Sequence, residues 1–438
     1  MKTARQIVLN MLVKMAKSQS YSNILLDEAL IKSELSPQDK KFAAALFYGV
    51  TERQLTLDRI IDIYSSRPSD KLSEEVRQII RMGIYQLLYL DSVPESAAVN
   101  ESVILAKDNK NPAVSGYVNA VLRSFIRDGK KLPKGKDKLD TFSIEYSCPQ
   151  WLIKKWLNDY GEEKTVTMLR TSLGRAPVTI RVNSIKTNEE KLIEQLAKEG
   201  ITAEKIQVID HCLEIFNFSG IEGTECYKNG LFHVQDISSQ LCCKALDAKE
   251  KQTVLDLCSA PGGKAFTIAQ MMNNNGKLFA YDLHEKRAQL IWKGAKRLGL
   301  DIIKAGSNNA KLFNDKIPQA DRILCDVPCS GLGVIRRKPE IKYKDPAEFD
   351  NLPSIQYEIL ETSFKYLKPG GELVYSTCTL NRQENDEVID KFINSHSECE
   401  PVDFLSELGV PFGNYKATIF PDFCGSDGFF IAKIRKTR

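Results

Sequence analysis

The chain has 438 residues, 42% hydrophobic and 27% charged, with a net charge of +4. That length exceeds one ordinary core and predicts two or three domains, and the balance of residues excludes a disordered or fibrous protein. No uninterrupted apolar run approaches the roughly 20 residues of a membrane span. Lys2 and Arg5 precede an apolar stretch from Ile7 to Val13, but Asn10 interrupts it, Lys14 follows and no small-residue cleavage site appears. A secretory leader is therefore not expected, and the protein is placed in the cytoplasm. Eleven cysteines, an odd number without any Cys-x-x-Cys, and only four histidines argue for reduced thiols and against a disulfide framework or a structural zinc site. Charge is uneven: residues 1–136 hold 21 Lys and Arg against 15 Asp and Glu, leaving 40 against 42 for the rest. A basic leader on a near-neutral remainder suits an anionic partner.

The leader reads as helical. Ile7, Val8, Met11, Leu12 and Met15 recur at helical spacing, as do Phe42, Ala45, Leu46 and Val50 within Asp39–Thr51, and Val76, Ile80, Ile84, Leu87 and Leu88 within Leu72–Leu90. With breakers at Pro37, Pro68, Pro94 and Pro112, an all-helical domain of about six helices is expected over residues 1–130. Lys130 to Lys138, lysine-rich with Pro133 and Gly135, reads as a linker. Residues 140–245 mix a helix from Trp151 to Tyr160, a strand from Val178 to Val182 and a helix from Glu189 to Lys198, a small α+β module packed on the domain after it. Cys242 and Cys243 fall on a helix there and read as small buried hydrophobes.

Over residues 246–438 strands and helices alternate, which predicts a Rossmann-like α/β domain with a mainly parallel, doubly wound sheet. The expected strands are Thr253–Leu257, Lys277–Asp282, Ile302–Ala305, Arg322–Asp326, Glu372–Ser376 and Phe429–Ile434. A helix from Ser354 to Leu367 precedes the fifth strand, and Asn381 with Glu384 has the spacing of a capping box opening the next helix.

Three stretches at strand ends carry the chemistry. Val254-Leu-Asp-Leu-Cys-Ser-Ala-Pro-Gly-Gly-Lys264 runs from a strand through a glycine turn into a helix, where a ligand can approach the backbone at the carboxyl edge of the sheet. The next strand ends in Asp282, about twenty residues on, the spacing of a carboxylate that accepts from ribose hydroxyls. The dinucleotide fingerprint Gly-x-Gly-x-x-Gly is absent. Asp326-Val-Pro-Cys-Ser-Gly331 and Ser376-Thr-Cys-Thr379 bring Cys329 and Cys378 to the same edge. Two thiols and a carboxylate beside a cofactor turn suit methylation of cytosine at carbon 5. That carbon becomes nucleophilic only when a thiolate adds at carbon 6, and a polar group must stabilise charge on the ring, for which Asp326 is the candidate. Chemistry alone leaves open which cysteine attacks.

Cys258-Ser-Ala-Pro-Gly-Gly-Lys264, Asp326-Val-Pro-Cys329 and Thr377-Cys378 resemble the motifs of the NOP2/Sun RNA cytosine-5 methyltransferases. Gln235-Asp236 and Asp427-Gly-Phe-Phe-Ile-Ala-Lys433 extend the resemblance over roughly residues 145–436. The leader, with Asn119-Ala-Val-Leu-Arg123, is similar to the NusB-like domain of the RsmB-type members, which methylate 16S ribosomal RNA. The resemblance implies S-adenosylmethionine as cofactor, Cys378 as nucleophile, Cys329 assisting release, and Lys264 reaching the base. It also implies cofactor contacts from Cys258, Ser259, Ala260, Pro261, Gly262, Gly263, Lys264, Asp282 and Asp326. Where the family commonly has an acidic residue after the third strand, this chain has Gly306-Ser-Asn-Asn-Ala310, and Asn309 aligns best with it.

After the proline-cysteine turn comes a basic stretch holding Arg336, Arg337, Lys338, Lys342, Tyr343 and Lys344, expected to follow an RNA backbone, with Tyr343 stacking on a base. The partner expected is 16S rRNA, free or in a partly assembled subunit, bound by a monomer without metal or membrane. Methylation of transfer RNA by the same site, or an inert RNA-binding or antitermination factor, are the rival readings; the intact cysteine pair with Asp326 and Lys264 opposes the second.

Overall fold

The computed structural model describes residues 2–18, 22–107, 113–218, 220–404 and 415–438. The chain forms two compact units: residues 1–174 with 335–344, and residues 175–334 with 345–438.

The first unit is helical: α1 (Ala4–Ser18), α2 (Ser22–Ile31), α3 (Pro37–Glu52), α4 (Gln54–Tyr64), α5 (Glu74–Tyr89), α6 (Glu95–Lys107), α7 (Ala113–Arg127), α8 (Lys138–Tyr146) and α9 (Gln150–Thr171). Among the described residues seven helices thus precede the linker, against about six expected. Pro37 opens α3 behind an N-cap, Ser36, whose side chain accepts from Asp39 N. Pro112 lies outside the described residues. The apolar stripes form one core around Leu12, Phe47, Ile60, Ile80, Leu122 and Phe125. In α9 the helix breaks at Gly161, whose φ of 76° is non-helical, just after the expected end at Tyr160. The linker leads into α8 and α9, which cluster with this unit.

The second unit opens with a four-stranded antiparallel sheet, β1 (Thr179–Val182), β2 (Thr202–Lys205), β3 (Cys212–Phe216) and β4 (Phe232–Val234), in the order β2-β3-β1-β4. Helices α10 (Glu189–Lys198) and α11 (Glu225–Lys228) accompany it. Helix α12 (Ile237–Leu246), with Cys242 and Cys243 fully buried, leads to the large sheet.

That sheet contains β5 (Thr253–Asp256), β6 (Lys277–Asp282), β7 (Ile303–Ser307), β8 (Ala320–Asp326), β9 (Leu367–Thr377), β10 (Cys399–Pro401), β11 (Lys416–Ile419) and β12 (Phe429–Lys436). Its order is β10-β12-β9-β8-β5-β6-β7, with β11 on β12. Pairs β5/β6, β6/β7, β5/β8 and β8/β9 are parallel, whereas β12 runs antiparallel to β9, β10 and β11. Helices α13 (Gly263–Met271), α14 (Glu285–Leu298), α15 (Leu352–Lys365) and α16 (Asp386–Ser395) complete a Rossmann-like domain, with one core holding Val254, Ile268 and Ile291 and the other holding Leu255, Ile323 and Phe392. The chain reverses direction across the sheet between β5 and β8, the switch point where open α/β sheets take ligands.

Glu384 does not close a capping box. Helix α16 begins at Asp386 with Asn385 as its N-cap, and the Glu384 carboxylate turns to donors elsewhere. No described helix is long and apolar enough to cross a membrane, and no group of three or more His, Cys, Asp or Glu suited to a metal occurs among the described residues.

Candidate active site

At the end of β5 the chain turns through Cys258–Gly262 and enters α13. Ser259 N donates to Tyr281 O at 2.7 Å and Gly262 N to Ser259 O at 2.8 Å, closing the turn. Gly262 has φ 109°, and a Cβ there would stand 2.5 Å from the Phe266 ring, so glycine is required twice over. Behind the turn Asp256 is buried. Neither its carboxylate oxygens nor Ser259 Oγ makes a well-formed hydrogen bond, although the Ser259 hydroxyl and the Cys258 backbone are close enough to oppose the effect of burial. Burial, reinforced by the Asp326 charge, pushes the Asp256 carboxyl up to about 7.

Asp282 ends β6 almost wholly buried, accepting from His284 N at 3.1 Å and lying 3.4 Å from Arg287 Nη1. The other guanidinium nitrogen of Arg287 donates to Ala260 O at 2.9 Å, so Arg287 ties the glycine turn to Asp282. Sequence reasoning missed it, since one arginine on a charged helix carries no signal. Asn309 is exposed and its side-chain oxygen accepts from Lys311 N at 3.1 Å, while the neighbouring Asn308 Nδ2 is buried without a partner.

Asp326 ends β8. Its Oδ2 lies 2.7 Å from Lys264 Nζ, and its Oδ1 accepts from Ser376 Oγ at 2.7 Å. Burial alone would lower the Lys264 ammonium, but the Asp326 charge outweighs it and holds the lysine above its ordinary value. Lys264 Nζ also sits 5.1 Å above the Phe429 ring.

Cys329 and Cys378 converge: their Sγ atoms are 3.3 Å apart. The hydrogen bond to Cys378, then burial, then the charges of Cys378 and Glu384 push the Cys329 thiol well above its ordinary value. Gly333 fastens the two turns, donating to Cys378 O at 3.1 Å and accepting from Gly428 N at 2.9 Å. A Cβ on Gly333 would stand 1.9 Å from Gly428 O, so only glycine fits where these segments cross.

The structure thus brings together Lys264, Asp326, Cys329 and Cys378. The basic stretch belongs with the helical unit. Arg336, Arg337, Lys338 and Lys344 are half-buried. Lys342 is fully buried with no hydrogen-bond partner for Nζ, and burial lowers its ammonium to about 8. The Tyr343 hydroxyl lies 2.8 Å from Glu52 O and 3.0 Å from Ser147 O. The expectation of phosphate contact from Lys342 and base stacking from Tyr343 is corrected: their polar ends are taken up inside the helical unit, because Ile335, Pro339 and Ile341 bury this stretch.

A family described as 16S rRNA methyltransferase RsmB/F matches residues 243–435, its ferredoxin-like domain matches residues 148–222, and the NusB family matches residues 2–127. The probable ribosomal RNA small subunit methyltransferase B of Bacillus subtilis is 39% identical over 444 residues, covering 99% of each chain. The chain belongs to the RsmB/F methyltransferase family. Its similarity to the corresponding Synechocystis protein, also described as a probable ribosomal RNA small subunit methyltransferase B, is 36% over 448 residues and 99% of each chain. The crystal structure titled PH0851 superposes with a TM-score of 0.84 at 25% identity, covering 100% of this chain and 99% of that one. The RsmB/F assignment makes the protein an rRNA methyltransferase, with the NusB-like helical domain ahead of the catalytic sheet.

Proposed function

We propose that the protein transfers a methyl group from S-adenosylmethionine to carbon 5 of a cytosine in 16S ribosomal RNA, through a covalent adduct between Cys378 and carbon 6. The observation carrying this reading is the thiol pair, 3.3 Å apart at the strand ends that also hold the Lys264–Asp326 ion pair. The glycine turn suits the cofactor: Gly263 leaves the backbone open, and the Asp256 carboxylate and Ser259 hydroxyl are buried without a well-formed hydrogen bond. Residues 258–264, Asp282, Asn309 and Asp326 would hold it. When bound, the cofactor supplies an electrophilic methyl group on a sulfonium.

The residues divide the remaining work. Cys378 as thiolate adds to carbon 6, and carbon 5 becomes electron-rich enough to take the methyl group. The charge that develops on the pyrimidine is met by Lys264, whose ammonium Asp326 fixes in place. Before attack the Cys329 proton is retained because Cys378 bonds to it and repels its ionisation. Once Cys378 is bonded to carbon, both influences are gone; Cys329 then gives its proton to solvent and, as thiolate, takes the carbon-5 proton. The electron pair of that C–H bond restores the ring double bond and expels Cys378 as thiolate.

Bisulfite sequencing of 16S and transfer RNA after incubation with protein and cofactor tests the reading. New 5-methylcytosine confined to 16S RNA is expected. Methylation at a nitrogen or a ribose would overturn the chemistry, and modification of transfer RNA alone would replace the substrate.

A further inference from the structure

Glu384 is fully buried and forms no ion pair among the described residues. Its two carboxylate oxygens accept four hydrogen bonds. Its Oε2 accepts from Ser330 N and from Gln356 Nε2, both at 2.9 Å; its Oε1 accepts from Asn381 Nδ2 at 2.8 Å and from the Ser330 hydroxyl. Ser330 directly follows Cys329. Its hydroxyl also lies 2.7 Å from Thr379 Oγ1, and Thr379 directly follows Cys378. The same Thr379 oxygen accepts from Leu332 N at 3.2 Å, and Gln356 Nε2 gives its second hydrogen to Pro328 O at 3.0 Å. Next in sequence, Asn385 donates to Thr379 O at 2.9 Å and accepts from Thr377 Oγ1 at 2.5 Å.

We propose that Glu384 is a positioning residue that sets the separation of Cys329 and Cys378 by holding the turns that carry them on one carboxylate. Resting on the reading of these cysteines as the reacting pair, the proposal adds to it how their distance is fixed. Burying a carboxylate without a cation is costly, and the cost is offset only where fixed donors saturate it. Here the donors come from three chain segments, one of them the turn of Cys329, and through the Ser330 hydroxyl the array reaches the turn of Cys378. A neutral residue of similar size cannot accept from all four at once. The carboxylate has a second consequence: its negative charge is among the causes that keep the proton on Cys329.

Diamide, which takes two hydrogens from a pair of thiols and leaves a disulfide, probes the separation without RNA or cofactor. The rate at which Cys329 and Cys378 become linked, followed by mass spectrometry of their peptides, is expected to fall about tenfold in Glu384→Gln, as befits loss of charge-assisted hydrogen bonds, and further in Glu384→Ala. The kcat for methyl transfer should fall in parallel while KM for the cofactor stays unchanged. Ser330→Ala, which keeps the backbone donor but loses the hydroxyl, should slow linking by a smaller factor, and it carries the test together with the Gln variant if Glu384→Ala does not fold. Wild-type linking rates in Glu384→Gln and Ser330→Ala overturn the proposal, as does a KM increase with unchanged kcat. If wild-type protein forms no 5-methylcytosine yet the variants still link more slowly, the proposed function fails and the positioning role stands.

Discussion

The glycine turn and the two cysteine turns occupy the carboxyl ends of one sheet, yet they treat buried polar atoms in opposite ways. Behind the glycine turn, the Asp256 carboxylate has only the Ser259 hydroxyl and the Cys258 backbone near it, and none of these contacts is a well-formed hydrogen bond. Around the cysteines, the equally buried Glu384 has a donor for each of its acceptor positions. A buried carboxylate without well-formed hydrogen bonds is held at a cost that a ligand can relieve, whereas a saturated one immobilises its surroundings. One region is prepared to receive something, and the other is already complete.

The largest effect that would break this contrast falls on the cysteines. Cys378→Ser should reduce methyl transfer by roughly four orders of magnitude or more, because a serine hydroxyl here has no base to activate it. On a denaturing gel after incubation with RNA and cofactor, Cys329→Ser should show a slow protein–RNA band, and Cys378→Ser and the double variant none. The opposite pattern would exchange the two roles.

Lys264→Met should lower kcat by about 10² to 10³, the loss typical of one preorganised donor. Linking of the cysteines by diamide should be unchanged, because no bond of the Glu384 array involves Lys264. A comparable loss of linking would merge the two regions into one.

Asp256→Asn sharpens the contrast from the side of the glycine turn. A carboxyl whose folded-state value is raised stabilises nothing when ionised, and stability is lost as pH climbs from the unfolded value near 3.8 through the folded value near 7. The Asn variant should therefore be more stable than wild type by about 2 to 4 kcal/mol at pH 8 and no more stable at pH 4. It should also bind the cofactor more weakly by calorimetry. Equal melting differences at both pH values would remove Asp256 from this role.

The smallest effect comes from Lys342, a buried orphan with no cofactor to relieve it. Its lowered value means that charging it opposes folding below about pH 8, and stability rises with pH between there and the ordinary value of 10.5. Lys342→Met should gain about 2 to 3 kcal/mol at pH 7 and little above pH 10, read by denaturant melts.

What the sequence made legible was local. A strand, a glycine turn and a helix within Val254–Met271 announce themselves by period and by residues with special backbone freedom, and cysteines two or three residues beyond a strand's hydrophobic run fall at its end by counting. The part that depended on distant partners was hidden. Asn381 and Glu384 have capping-box spacing, but Ser330 and Gln356 claim the carboxylate, and the helix starts later. The basic stretch looked like an RNA-contacting surface because charges dominate it, although Ile335 and Ile341 gave the signal for burial. Gly370 and Gly371 concealed the first half of β9, and the short edge strands β10 and β11 owe their form to pairing with β12.

The crossing at Gly333 bears on when the protein becomes competent during folding. Segments around positions 333, 378 and 428 must meet before the crossing can lock, and contacts so far apart along a chain close late because loop entropy is lost before they compensate for it. Synthesis delivers both thiols ahead of Gly428, so an emerging chain carries them as two ordinary, separately solvated cysteines. The crossing closes only when the segment at Gly428 docks on Gly333, and the onset of rapid disulfide formation during refolding is expected no earlier than that step.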